Sequence, residues 1–407
     1  MSAGTPWHGL WMTGLAAFLM AGTPIPAHAL PVRATPSITV EQAYDSNVFY
    51  DRTGNEEDDF ILHIRPALSL TYPPDNSAVT LDIYAESSRY YKNPDLSRPV
   101  TTWGGALSSA RPLVLSPNVS MTPRGYYLET YDSARRSELA LSPEAPTIPI
   151  EITQFGQTHT RDYGGSVIVG YQAAPRIQSA LTGAYNRHEI ITDNTDLTDY
   201  YTYTGDLLVS YQTGPGSTIG IFGTASDTTY SNGNVSTIYS VGLRGSYAFS
   251  GYFLADGRVG TSFLRDKPGD GSPESTSQSP TATLSLTYRD RDFFATAWGS
   301  YGYSAGSSFG ATTLQGNAGL SLGDQFANGW WWSLSGLYQK NRNIDEPSTV
   351  HSTTGTGTAE IRYVPALWAT LYLSGTYYRE WDQTDSGSDL KRTTAILGVT
   401  LSDTYGL

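Results

Sequence analysis

The chain contains no cysteine among its 407 residues, and only 15% of them are charged. A soluble domain carries about a quarter. The missing thiols exclude a disulfide framework and cysteine chemistry, and suit an oxidising compartment. Basic residues are scarce as well: 25 Lys and Arg face 38 Asp and Glu, for a net charge of −13. No basic field is available to neutralise phosphates, so no nucleic-acid partner is expected. Long apolar runs are absent beyond the first 29 residues, so no helix of the mature chain is expected to cross a membrane. The motifs of hydrolases, zinc proteases and phosphate-binding loops are missing. The six histidines are dispersed, with His8 and His28 in the leading segment and His63, His159, His188 and His351 on separate stretches. No enzyme, cofactor or metal constellation emerges.

Glycine (41) and tyrosine (29) are abundant, alongside serine and threonine. This mixture favours strands and turns over helices. Residues 10–22, LWMTGLAAFLMAG, form an apolar core of signal-peptide length, and Ala27-His28-Ala29 supplies small residues for cleavage before Leu30. Residues 1–29 are therefore read as a signal peptide and residues 30–407 as one domain. The domain alternates with period two almost throughout. In DFILHIRPALSLTY, Phe60, Leu62, Ile64, Leu68, Leu70 and Tyr72 share one face, while His63, Arg65, Ala67, Ser69 and Thr71 share the other. The apolar face is modest in size and tyrosines gather at its ends. That pattern predicts an all-β fold: a transmembrane, antiparallel, up-and-down β-barrel of the bacterial outer membrane, apolar toward lipid and polar toward a lumen.

Short turn signals fall at 73–77, 116–118, 173–176, 213–217, 250–251, 290–291, 324–328 and 364–366. Longer polar segments lie between them, at 51–58, 92–101, 132–158, 191–199, 231–235, 267–279, 305–310, 343–352 and 382–390. Eight short turns and nine long loops give about 18 strands, with 16 or 20 following from an error of one hairpin around 105–160. Tyr72, Tyr171, Tyr211, Tyr247, Tyr288 and Tyr363 each precede a short turn and are expected to form the periplasmic girdle. A second belt is expected at the outer rim from Tyr90, Tyr91, Tyr126, Tyr127, Tyr200, Tyr201, Tyr301, Tyr303, Tyr377, Tyr378 and Trp381.

Strand phase assigns Arg65, Asp82, Tyr84, Glu86, Asp206, Arg244, Asp256, Arg258, Arg289, Trp298, Glu360, Arg362, Trp368 and Tyr372 to the lumen. Both charge signs occur, with aromatics between them. Such a lining can either hydrogen-bond and stack on a passing saccharide or serve only to brace the wall. The acidic runs Asn55 to Asp59 and Asp266 to Glu274 are solvated loops or sites for hard cations bridging lipopolysaccharide.

The opening of the domain, VEQAYDSNVFYDRTGNEEDDFILHIRPALSLTY, carries Tyr44, Asp45, Asn47 and Val48, then Asp59, Phe60, Pro66, Leu68 and Leu70. In these it resembles the outer-membrane β-barrel porins encoded with exopolysaccharide biosynthesis and exosortase-type systems. The resemblance implies a conduit for secreting an exopolysaccharide, working with periplasmic polysaccharide-export proteins, and brings no catalytic residues. Two other readings stand beside it: a general or substrate-selective diffusion porin for small solutes, and a structural or adhesive surface barrel. An inward fold of 132–158 would favour a diffusion porin, and a wide lumen the conduit. The chain ends LSDTYGL, with Tyr405 two residues short of the terminal aromatic expected of such barrels.

Overall fold

A computed structural model describes residues 32–51, 54–72, 79–109, 111–131, 158–192, 197–305, 312–344, 351–382 and 389–406. The signal-peptide reading of 1–29 and most of the loop at 132–158 lie outside these residues. Strand follows strand, as the period-two alternation requires. The first nine are β1 (Arg33–Asp45), β2 (Asp59–Tyr72), β3 (Val79–Tyr90), β4 (Arg98–Ser108, resuming as Leu113–Ser116), β5 (Val119–Thr130), β6 (Thr160–Ala174), β7 (Ile177–Ile190), β8 (Tyr200–Gly214) and β9 (Ser217–Tyr230). The second nine are β10 (Val235–Ala248), β11 (Phe253–Lys267), β12 (Ser275–Arg289), β13 (Phe293–Ser304), β14 (Thr313–Ala327), β15 (Trp330–Asn343), β16 (His351–Ala366), β17 (Ala369–Asp382) and β18 (Leu390–Ser402, resuming as Tyr405–Gly406). A single 3-10 turn, Pro94–Leu96, interrupts the described strands.

Each strand pairs antiparallel with the next, and β1 pairs with β18 from Ser37↔Ser402 to Asp45↔Thr394. The sheet is thus a closed barrel of 18 strands. Closure removes every free edge, which a strand in hydrocarbon needs because unpaired backbone groups find no water there. Tyr405 also serves the seam: it pairs with Ala34 of β1.

The two faces separate by chemistry. Outward positions carry Ile221, Leu243 and Leu397, each more than half exposed. A soluble sheet would bury them; here they form the apolar band that lipid covers. Inward positions carry cross-strand hydroxyl pairs, such as Thr102–Thr130 at 2.8 Å, Thr202–Thr228 at 2.9 Å and Thr358–Thr376 at 3.0 Å. The apolar outer band and the polar lining place the barrel in the bacterial outer membrane.

Two turns lie later than their sequence signals. The ladder between β16 and β17 shifts register between Tyr363 and Ala366, so Pro365 sits in a bulge and the strand continues to Ala366. A bulge accommodates a residue without an N–H donor. The turn is then made by Leu367 and Trp368. A second shift between Asp324 and Ala327 moves the preceding turn to Asn328 and Gly329, the latter at φ 76°.

Candidate functional site

The inward face is the candidate site. Alternation puts Arg65, Asp82, Tyr84, Glu86, Asp206, Arg244, Asp256, Arg258, Trp298, Glu360, Arg362 and Tyr372 on inward registers of β2, β3, β8, β10, β11, β13, β16 and β17. Arg289 is at the exposed periplasmic end of β12. Trp368 departs from its expected place: it is in the β16–β17 turn, 59% exposed, because the Pro365 bulge moves the turn onto it.

Near mid-height, two charged clusters face one another. The first spans β17 and β1 to β3. The Tyr372 hydroxyl donates to Glu41 on β1. Arg65 reaches toward both Glu41 (3.9 Å) and Glu86 (3.8 Å). His63 Nδ1 is 3.4 Å from Glu86 and 2.7 Å from the Ser88 hydroxyl. The second cluster spans β8 to β11. Arg258 donates to Asp206 at 3.2 Å, Thr224 donates to the same carboxylate at 2.9 Å, and Arg244 reaches Asp256 at 2.9 and 3.1 Å. The Phe222 ring lies 5.4 Å from the Arg258 guanidinium. β1 and β10 are nine strands apart in a ring of 18, so the clusters sit on opposite walls. Sequence phase found the charges on these walls and put His63 on the same polar face as Arg65, but it missed Glu41 and Phe222 and the pairing of His63 with Glu86, which depend on neighbours far away in sequence.

Two inward aromatics lie flat. A side chain at Gly319 would run into the Trp298 ring, and one at Gly398 into the Tyr372 ring. Glycine on the adjacent strand lets each ring rest against the wall and turn one face to the bore. Trp298 is 38% exposed there.

At the outer mouth, the segment after β1 folds inward. Val48, Ala43, Ile61 and Tyr90 form a small apolar cluster on the inner wall, with Val48 1% exposed. Asp45 holds Arg392 of β18 through two contacts of 2.9 Å and accepts the Asn47 backbone N–H at 3.0 Å. The Asn47 side chain donates to the carbonyls of Asp51 (2.7 Å) and Lys391 (3.0 Å). Tyr50 takes φ 59° and packs its ring 4.6 Å below the Arg392 guanidinium. Asp59 accepts the backbone N–H groups of Tyr91, Lys92 and Asn93 at 2.8 to 3.0 Å. Asp58 pairs with Lys92, whose hydrogen bond holds the Asp58 carboxyl below the ordinary carboxylate range. The carboxylates of Asp58 and Asp59 are therefore engaged by the neighbouring loop rather than grouped for a cation.

Tyr72, Tyr171, Tyr211 and Tyr247 are outward and exposed beside the periplasmic ends of their strands, and Tyr363 stacks on Trp330 at 4.4 Å. Tyr288 lies 5.9 Å from Phe293 across the next turn. At the outer rim, adjacent tyrosines divide between faces, as a pleated strand requires. Tyr90, Tyr200 and Tyr378 are buried inward, whereas Tyr91 and Tyr377 are exposed outward. Tyr126 also faces inward and donates to Asn186 at 3.0 Å. The outward row runs through Tyr127, as expected, together with Trp103, Tyr163, Tyr185 and Tyr203, in ring contact from one strand to the next.

No family model matches the chain, and no curated protein matches it. Among solved structures it is similar to the outer membrane protein OpdK of Pseudomonas aeruginosa, at TM-score 0.47 and 12% identity, over 91% of this chain and 99% of that one. A structure of OpdK with vanillate gives TM-score 0.46 and 11% identity, over 91% and 99%. OpdO of the same organism gives TM-score 0.48 and 12% identity, over 91% and 97%.

Proposed function

We propose that the barrel is an outer-membrane diffusion channel for small polar solutes, neutral or zwitterionic. The observation that carries this reading is the lining at mid-height: ion pairs of both signs on opposite walls, with aromatic faces turned to the bore. A strongly anion- or cation-selective pore would line its bore with one sign. Here Arg244–Asp256 and Arg258–Asp206 neutralise one wall. The opposite wall sets Arg65 between Glu41 and Glu86. Barrels of about 16–18 strands leave an aqueous channel. Paired charges with spare lone pairs and N–H groups hydrogen-bond a solute at both ends, and the flat faces of Trp298 and Tyr372 cover its apolar patches.

The exopolysaccharide reading rested on Tyr44, Asp45, Asn47, Val48 and Asp59. In the barrel Asp45, Asn47, Val48 and Asp59 tie the first outer loop to β18 and to the β3–β4 loop, and the Tyr44 ring packs on Phe60 at 5.3 Å. A motif consumed by such a latch reports how the mouth is built and carries no information on cargo. Inward groups of the outer third, including Thr130, Asp162, His188 and Tyr230, are buried, whereas a wide conduit would leave them in water.

Planar-bilayer recording and liposome swelling test the reading. We expect ohmic channels of weak ion selectivity and faster swelling with monosaccharides and amino acids than with trisaccharides. Absence of conductance would overturn it in favour of a structural barrel. Polymer trapped in the periplasm of a deletion strain, with small-solute uptake unchanged, would return the function to export.

A further inference from the structure

We propose that the outward rim of β15 to β18 binds the phosphorylated headgroup of an outer-leaflet lipid. The proposal rests on a local charge imbalance and is independent of what passes through the lumen. Elsewhere on the outer rim several outward-facing bases are neutralised, while Arg89 and Lys267 stand singly with no ion pair among the described residues. Arg161 pairs with Glu129 and Glu189, Arg187 with Glu189, and Arg265 with Glu274, at 2.5 to 3.2 Å. The β15–β18 sector differs. The register aligns Tyr338, Gly355, Arg379 and Lys391 in one row across four strands, with Lys340 and Trp381 one step higher toward the outer mouth. Arg342 follows, two residues beyond Lys340 on the same face. Lys340 and Arg342 are exposed. Among the described residues Lys340, Arg342 and Lys391 form no ion pair. Arg379 has one carboxylate partner, Asp389, and its guanidinium lies 5.0 Å from the Trp381 ring. Glu56, in the first outer loop, is within electrostatic reach of Lys391. In a chain of net charge −13, the described residues of this outer face set four bases, Lys340, Arg342, Arg379 and Lys391, against two acids, Asp389 and Glu56, a local excess of positive charge.

The level in the membrane selects the ligand. Tyr377, one step below the row, and Tyr338, one step below Lys340, are 47% and 48% exposed on the same face, where amphipathic rings mark the headgroup boundary. The bases therefore stand at the height of lipid phosphates. Adjacent strands are about 4.8 Å apart, so Lys340, Arg379 and Lys391 fit within about 15 Å, a span matched by one glycolipid head with phosphates at its ends. Lysine and arginine ammonium and guanidinium groups form charge-assisted hydrogen bonds to phosphate, and the exposed tyrosine rings below meet the acyl chains.

The test uses the refolded, detergent-solubilised full barrel, titrated with diphosphoryl lipid A, dephosphorylated lipid A and inorganic phosphate. Binding is read by native mass spectrometry and thermal unfolding. The wild type is expected to retain diphosphoryl lipid A as a discrete adduct with a raised midpoint. Affinity is expected to fall about tenfold or more for the dephosphorylated lipid and for the K340Q/R342Q/K391Q variant. A control variant of the neutralised sector, R161Q/R187Q, is expected to bind like the wild type. Unchanged channel conductance shows that the triple variant is folded. Equal binding of the dephosphorylated lipid, equal binding by the triple variant, or equally tight binding of inorganic phosphate alone overturns the proposal.

Discussion

Asp45 and Arg392 show how single side chains set the shape of the mouth. Each is under a tenth exposed, and they lie 347 residues apart in sequence on strands that meet at the seam. A buried charge is tolerated when its partner and hydrogen bonds satisfy it, and becomes costly when the partner is lost. Asp45→Asn removes the carboxylate that pairs with Arg392 beside Tyr50 and weakens the turn that Asn47 completes. The expected loss is about 3–5 kcal/mol, read as a lower temperature for the folded-to-unfolded mobility shift in detergent electrophoresis. Pairing Asp45→Asn with Arg392→Met is expected to recover part of that loss, because the double variant removes both charges of the pair from the buried seam. A double variant as unstable as the sum of the singles would show that the two residues do not act together. The same logic explains why Trp298 and Tyr372 face glycine: the ring needs the space that a Cβ at Gly319 or Gly398 would fill.

Strands are the scale at which the sequence was most legible. Alternation and turn composition yield 18 strands and their order, because every side chain faces either lipid or lumen and both demands recur with period two. Bulges defeated the phase rule. Pro365 reads as a turn residue in isolation, yet the ladder absorbs it and displaces Trp368 from wall to turn. Paired tyrosines misled in the same way: a belt counted by composition places both members of Tyr200-Tyr201 at the rim, whereas the pleat sends Tyr200 inward. The site was half legible, since phase gives the charges on a wall, while which carboxylate meets which base depends on tilt and on contacts between distant strands. The contrast between faces is testable on consecutive residues of β8. Leu207 is 50% exposed toward lipid, and Asp206 faces Arg258 and Thr224 in the lumen. Leu207→Arg is expected to cost about 2–4 kcal/mol in urea titrations of the lipid-inserted barrel. Asp206→Asn is expected to cost about 1 kcal/mol or less and to change ion selectivity instead. Equal costs for the two would mean that the face assignment of β8 is wrong.

For the barrel as a whole, the proposed channel takes its ion preference from the charges on opposite walls. One wall carries two carboxylates, Glu41 and Glu86, around Arg65; the other balances Asp206 and Asp256 with Arg258 and Arg244. This near-balance gives a transverse field without a strong preference for either ion sign. Reversing one base on each wall, Arg65→Glu with Arg258→Glu, leaves six carboxylates facing one another across the bore around Arg244 and His63. The double variant is therefore expected to become clearly cation-selective, with its reversal potential in a potassium chloride gradient moving toward the potassium limit. Salt concentration sharpens the measurement, because charges are screened within about 3 Å at 1 M and about 10 Å at 0.1 M. If the clusters act on the permeating ion, the shift is larger at low salt and each single variant gives part of it. A shift independent of salt, or none in the double variant while the pore still conducts, would place the constriction elsewhere along the bore and leave these ion pairs as braces of the wall.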